Sequence, residues 1–96
     1  MPKGYVIALP NLTNPDIFVS VYGSKDADVI EQYDGQILVR GGDVSYREGD
    51  STDLNVVIEF PSLAKAMEWK NSAEYKAIEA GRKDNMTGMF IVIEGV

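Results

Sequence analysis

The sequence predicts an α+β domain: one antiparallel sheet with helices on a single face, in the order βαββαβ. Three observations carry that expectation. Short runs rich in Val and Ile stand at 4–9, 36–40, 54–60 and 89–94, each bounded by Pro, Gly or Asp. Between the first and second runs, and between the third and fourth, apolar residues recur at three- and four-residue spacing behind helix-start signals. No repeat, low-complexity stretch or linker interrupts the chain, so residues 1–96 read as one domain.

Gly4 to Leu9 forms the first strand, and Pro10, which has no backbone donor, is expected to end it. Asn14-Pro15 is a helix start: the Asn14 side chain suits a free first-turn amide, and Pro15 loses no bond there. Ile17, Phe18, Val21, Tyr22, Val29, Ile30 and Tyr33 supply the apolar stripe of that helix. Gly23 in its middle costs about 1 kcal/mol against Ala and predicts a bend. Asp34-Gly35 stops the helix, with Gly35 expected in the left-handed conformation. Gln36 to Arg40 is the second strand, Gly41-Gly42-Asp43 a hairpin or bulge, and Val44 to Glu48 a polar edge strand. After a loop at 49–53, Leu54 to Phe60 is again a strand. Ser62 caps a helix over Leu63 to Lys70, and Ser72 a second over Ala73 to Lys83, whose Glu74 suits the helix dipole. Asn85 to Gly88 turn the chain into a last strand, Met89 to Glu94. The order is the split βαβ, or ferredoxin-like, arrangement.

Composition removes whole classes of chemistry. The 96 residues hold nine Lys plus Arg against fifteen Asp plus Glu, a net charge of −6, with neither His nor Cys. Without Cys there is no disulfide, thiolate metal site or thiol nucleophile. Without His there is no imidazole base, no Ser-His machinery and no His axial ligand for haem degradation. The negative charge repels phosphate backbones, so no nucleic-acid partner is expected. No apolar run spans a membrane, and Met1-Pro2-Lys3-Gly4 is no signal peptide, so a cytoplasmic setting is expected. No cofactor is implied. Gly41-Gly42 lacks the following helix and Lys-Ser/Thr of a phosphate cradle. Asp26 and Asp28, like Asp50 and Asp53, are spaced as hard-metal ligands but complete no calcium loop; they read as solvated charge, and no metal is expected.

The strands pose a burial problem. A two-layer domain leaves one sheet face to water, so its strands should alternate apolar and polar. Here Tyr5, Ile7 and Leu9 oppose Val6 and Ala8; Val56, Ile58 and Phe60 oppose Val57 and Glu59; Phe90 and Val92 oppose Ile91 and Ile93. Both faces are greasy, beyond what a monomer usually exposes. Folding energetics agree: for 10.6 kDa, apolar burial is worth on the order of 150 kcal/mol against an ordering cost of about 145. A second copy packed sheet to sheet is the expected partner.

Polar residues inside this pattern are the candidate site. Alternation places Arg40 with Leu38, Glu59 with Val57 and Glu94 with Val92. Arg40 either pairs with Glu59 within the sheet or grips an anionic ligand through its forked guanidinium. In the last helix Tyr75, Ile78, Glu79 and Arg82 share one face. Either Glu79 and Arg82 form a surface pair with Tyr75 as an anchor, or Tyr75 and Arg82 join Arg40 in a cleft for a small organic acid. Trp69 lies off the Leu63-Ala66-Met67 stripe and either caps that cleft or fills core or interface.

Several blocks together carry a resemblance: Lys3-Gly4-Tyr5-Val6-Ile7-Ala8, Ile37-Leu38-Val39-Arg40-Gly41-Gly42, Glu48-Gly49-Asp50, Val57-Ile58-Glu59-Phe60-Pro61-Ser62, Trp69, Ser72-Ala73-Glu74-Tyr75 and Ile93-Glu94-Gly95-Val96. In order and spacing, over nearly the whole chain, they resemble the bacterial domain-of-unknown-function family 1330. The chain departs from that family's usual Ala- and Tyr-rich first helix by carrying Gly23-Ser24. The resemblance implies a dimeric α/β-barrel of ferredoxin-like subunits but no settled activity, since the superfamily spans cofactor-free monooxygenases, isomerases, lyases and haem-degrading enzymes. The expected function is a cytoplasmic homodimer binding a small anionic or aromatic molecule between sheet and helices, with Arg40, Trp69, Tyr75 and Arg82 as ligand-binding candidates. As a cofactor-independent monooxygenase or isomerase it would use Glu59 as base and Tyr75 as donor. The third reading is a structural dimer module whose cleft is filled by its own side chains.

Overall fold

The β-branched runs do become strands: β1 (Gly4–Leu12), β2 (Gln36–Arg40), β3 (Val56–Phe60) and β4 (Met86–Glu94). In the computed structural model, which describes residues 2–96, they pair antiparallel in the order β2-β3-β1-β4. Val6 lies opposite Ile58 on one side and Val92 on the other. The helices are α1 (Pro15–Phe18), α2 (Asp26–Gln32), α3 (Leu63–Lys70) and α4 (Ala73–Lys83), with a π-helical turn over Val19–Gly23 between α1 and α2. This is the expected ferredoxin-like order, laid out as a slab of 33 × 31 × 17 Å.

The covered face carries Val6, Ala8, Ile58 and Phe60, all buried beneath the helices. Trp69 sits at the centre of this core, its ring 4.3 Å from that of Tyr75 and 5.3 Å from that of Phe60. Ser62 and Ser72 cap α3 and α4 by accepting from the backbone N–H of Lys65 and Tyr75. The opposite face carries Tyr5, Ile7, Val57, Ile91 and Ile93, with Ile93 47% exposed. Both faces are apolar, as the strand pattern predicts.

Local expectations fail where tertiary partners intervene. Pro10 does not end β1. Its carbonyl accepts from Leu54 N at 3.2 Å, so its nitrogen also faces the β3 side, beyond the last β1–β3 pair, where the ladder needs no donor. The extension to Leu12 recruits Met86 as its partner, so β4 begins before the expected turn at Asn85 to Gly88 has finished. Val44 to Glu48 forms no strand, and β3 starts at Val56 rather than Leu54. Gly41 and Gly42, at φ 79° and 84°, swing the chain away from the β2 edge. Asn14 makes no cap; its Nδ2 donates instead to Asn85 Oδ1 at 3.1 Å, tying the start of α1 to the end of α4.

At the end of α2 the left-handed residue is Asp34, with φ 62°, not Gly35. Gly35 is required for space: a Cβ there would lie 2.6 Å from Ile30 Cγ2 and from Phe60 Cε1. The Gly23 bend is real. The π turn, closed by Ser24 N donating to Val19 O at 2.8 Å, ends at Gly23 and separates α1 from α2.

Candidate functional site

The site begins with a bulge. β2 pairs Ile37 with Ile58 and next Val39 with Val57, so Leu38 is an extra residue on its strand. The slip exchanges faces: Arg40, opposite Val56, points to the helix side with Ile37, not to the side that strict alternation assigns it. There its Nη2 donates to the Gly23 carbonyl and stands 3.6 Å from Asp26 Oδ1. The expected Arg40–Glu59 pair does not form. Glu59 faces the uncovered side and accepts from the Tyr5 hydroxyl at 3.2 Å.

Arg40 stands on the wall of a cavity of about 390 Å³ set between the sheet and the α1–π–α2 segment. Val6, Ala8, Ile58, Phe18 and Phe90 give it apolar walls, and Tyr22, Asp26, Arg40 and Arg82 supply the polar groups. Asp26 is not the solvated charge expected from spacing. It is buried, and its Oδ1 has no hydrogen-bond partner among the described residues. Burial raises its carboxyl above the ordinary value, while the Arg40 charge pulls the other way.

Behind the cavity wall runs a chain of hydroxyls and charges. Arg82 Nε donates to the Tyr75 hydroxyl at 2.8 Å, and that hydroxyl lies 3.0 Å from the Tyr22 hydroxyl. The Arg82 guanidinium also stacks 3.9 Å from the Phe90 ring centre. Burial raises both phenols; for Tyr22 the neighbouring Tyr75 adds to that, and for Tyr75 the Tyr22 hydrogen bond and Arg82 oppose it. On the outer side Glu79 gathers Lys70 at 2.5 Å, Lys76 at 3.6 Å, Arg82 and Lys83, each at 3.8 Å. The Lys70 hydrogen bond foremost lowers the Glu79 carboxyl. Glu79 and Arg82 are both buried, so they form no surface pair. α4 approaches the π turn closely enough for this chain because residue 81 is glycine; a Cβ there would lie 2.6 Å from Val21 Cγ2.

The model of the family described as Domain of unknown function (DUF1330) matches residues 3–96. The chain belongs to this family. Among solved structures the DUF1330 chain is similar to RPA0582, a protein of unknown function from Rhodopseudomonas palustris. They share 19% identity over 99% of this chain and 82% of that one, with a TM-score of 0.68. For the methylated form of RPA0582 the values are 17% identity, 99% and 81% coverage, and a TM-score of 0.70. A candidate antibiotic biosynthesis monooxygenase from Caulobacter crescentus CB15 shares 18% identity over 97% of this chain and 86% of that one, at a TM-score of 0.63. At such identities the likeness speaks for the fold. No curated protein gives a significant match to the chain.

Within the DUF1330 domain the sequence candidates separate. Arg40 and Arg82 line the cavity. Tyr75 stands one hydroxyl behind it, wholly buried, and Trp69 lies in the core with its Nε1 unpartnered rather than over an opening. Glu59 is on the far side of the sheet. Tyr22 and Asp26 complete the polar set without having been singled out as site residues. The available signal for Tyr22 was a phenol within a largely apolar helical stripe, a signal it shared with Tyr33. For Asp26 there was none, since its burial depends on Arg40 turning inward.

Proposed function

We propose that the protein is a cytoplasmic homodimer, joined through the uncovered sheet face, whose subunits each bind a small, mainly apolar molecule carrying an acidic group. The observation that carries the binding reading is the cavity of about 390 Å³, a ligand-sized volume with apolar walls and few convergent polar groups. A structural module would be expected to fill that space with its own side chains. Arg40 and Arg82 supply positive charge in a chain whose net charge is −6, which favours an anionic group there. The pairing reading rests on Ile7, Val57, Ile91 and Ile93, an apolar patch with no helix over it. No helix among the described residues is long and apolar enough to cross a membrane.

The test is calorimetry with small aromatic and aliphatic carboxylates, each beside its neutral amide. Binding at one molecule per subunit, preferring the acid and weakened by Arg40→Ala, is the expected result. No binding across the panel would favour the structural module.

A second reading, turnover of the bound molecule, gains from Asp26, a buried carboxyl on the cavity wall with an unpartnered oxygen. It gives such chemistry a base where Glu59 does not reach. Oxygen uptake with phenolic substrates, abolished by Asp26→Asn, would carry the oxygenase version.

A further inference from the structure

Hydrogen counting gives the hydroxyl chain behind the cavity a direction. An arginine guanidinium stays charged and has donors only, so Arg82 Nε donates to the Tyr75 oxygen. Between Tyr75 and Tyr22 either hydroxyl is able to donate. Tyr75 is wholly buried, and among the described residues its hydroxyl meets only Arg82 and Tyr22. If Tyr22 donated to Tyr75, the Tyr75 hydrogen would be stranded in the core, an outcome buried polar groups avoid. Tyr22 is buried too, but unlike Tyr75 it lines the cavity, so the less costly order runs from Arg82 to Tyr75 to Tyr22. It leaves the Tyr22 hydrogen unspent, on a residue of the cavity wall.

A second open valence lies on the same wall. Asp26 Oδ1 is buried without a hydrogen-bond partner, and no hydrogen bond joins it to Tyr22 among the described residues. Arg40, at 3.6 Å, neutralises its charge without filling its acceptor site. The cavity wall thus holds one unspent donor, on Tyr22, and one carboxylate, on Asp26, whose side chain is 12% exposed, amid apolar neighbours.

We propose, on the basis of the ligand-binding reading above, that Tyr22 grips an oxyanion of the ligand while Asp26 takes a hydroxyl of the same molecule. The ligand class is a hydroxylated aromatic or alicyclic carboxylate, or an enol with the same pattern. The charge on Arg82 polarises Tyr75, which polarises Tyr22, so the donor at the end of the chain is stronger than the same buried phenol would be without that chain behind it. A hydrogen bond to an ionised acceptor among apolar walls is where that added strength counts. Tyr22 is a binding residue by contact; Tyr75 and Arg82 act through it as positioning residues.

The probes are benzoate, the three hydroxybenzoates and neutral benzyl alcohol, titrated calorimetrically into the full-length chain, its Tyr22→Phe variant and its Tyr75→Phe variant. At least one hydroxybenzoate is expected to bind more tightly than benzoate. Tyr22→Phe should weaken it about ten- to a hundredfold, while benzyl alcohol changes little. Tyr75→Phe keeps the Tyr22 donor but removes its polariser, so a smaller loss of the carboxylates alone is expected. Equal hydroxybenzoate affinity in wild type and Tyr22→Phe overturns the donor assignment and leaves the binding reading standing. Absence of any binding to the wild type overturns both. If Tyr22→Phe fails to fold by circular dichroism, Tyr75→Phe decides, and unchanged affinity there overturns the relay.

Discussion

Arg40 Nη2 lies 3.6 Å from Asp26 Oδ1, and the two face each other because Leu38 bulges out of β2. The pair joins the edge strand to the start of α2, across the cavity wall they share. Arg40→Met should cost about 1–2 kcal/mol, less than a fully buried pair because the Arg40 side chain is 44% exposed. In an Asp26→Asn background the same substitution should cost less. Urea unfolding of the double-mutant cycle checks this, and additive effects would contradict the pairing.

The end of α2 gives a two-variant test. Gly35→Ala brings a methyl within 2.6 Å of Ile30 and Phe60 atoms and should cost about 1–3 kcal/mol. Asp34→Gly relieves the residue that holds φ 62° and should be neutral or stabilising by up to about 1 kcal/mol. If the glycine served the left-handed turn, the variants would not separate in this way. Thermal melts of both decide.

Glu79 and Asp26 should give pH dependences of opposite sign. The Glu79 carboxyl is lowered from its ordinary 4.5, so its contribution is present above that pH and lost as pH falls through the folded value. Glu79→Gln should therefore cost about 2 kcal/mol at pH 7 and progressively less in acid. The Asp26 carboxyl is raised from 3.8, so its contribution is present below that pH and lost as pH rises through the folded value. Relative to wild type, Asp26→Asn should gain stability with rising pH. Melting temperatures from pH 3 to pH 7 read both differences.

The uncovered sheet face yields a direct test of association. Ile91→Lys, in the middle of β4, should shift sedimentation at micromolar protein from dimer to monomer. A lysine on the opposite, covered face would instead unfold the chain. A wild type that sediments as a monomer would sink the pairing.

Much of the fold was readable because it depends on short-range rules. Ser62 and Ser72 cap where expected, since a hydroxyl before a helix answers a need of the backbone itself. The doubly apolar strands likewise follow from period-two alternation. Residues whose partners come from afar were misread. Asn14 turned to Asn85, Pro10 found a position that needs no donor, and Val44 to Glu48 had no strand to pair with.

The site shows the same division. Sequence by itself determined the inventory: no imidazole, no thiol, three arginines and a helix stripe carrying Tyr75, Glu79 and Arg82. Tertiary structure decided which of them meet. One extra residue at Leu38 turned Arg40 to the helix side, and the missing Cβ of Gly81 let α4 bring Tyr75 within hydrogen-bond reach of Tyr22. The physical reason is one of range. Periodicity, capping and composition act within a few residues, whereas a bulge, a close approach or a buried charge is stabilised only by partners that folding brings together.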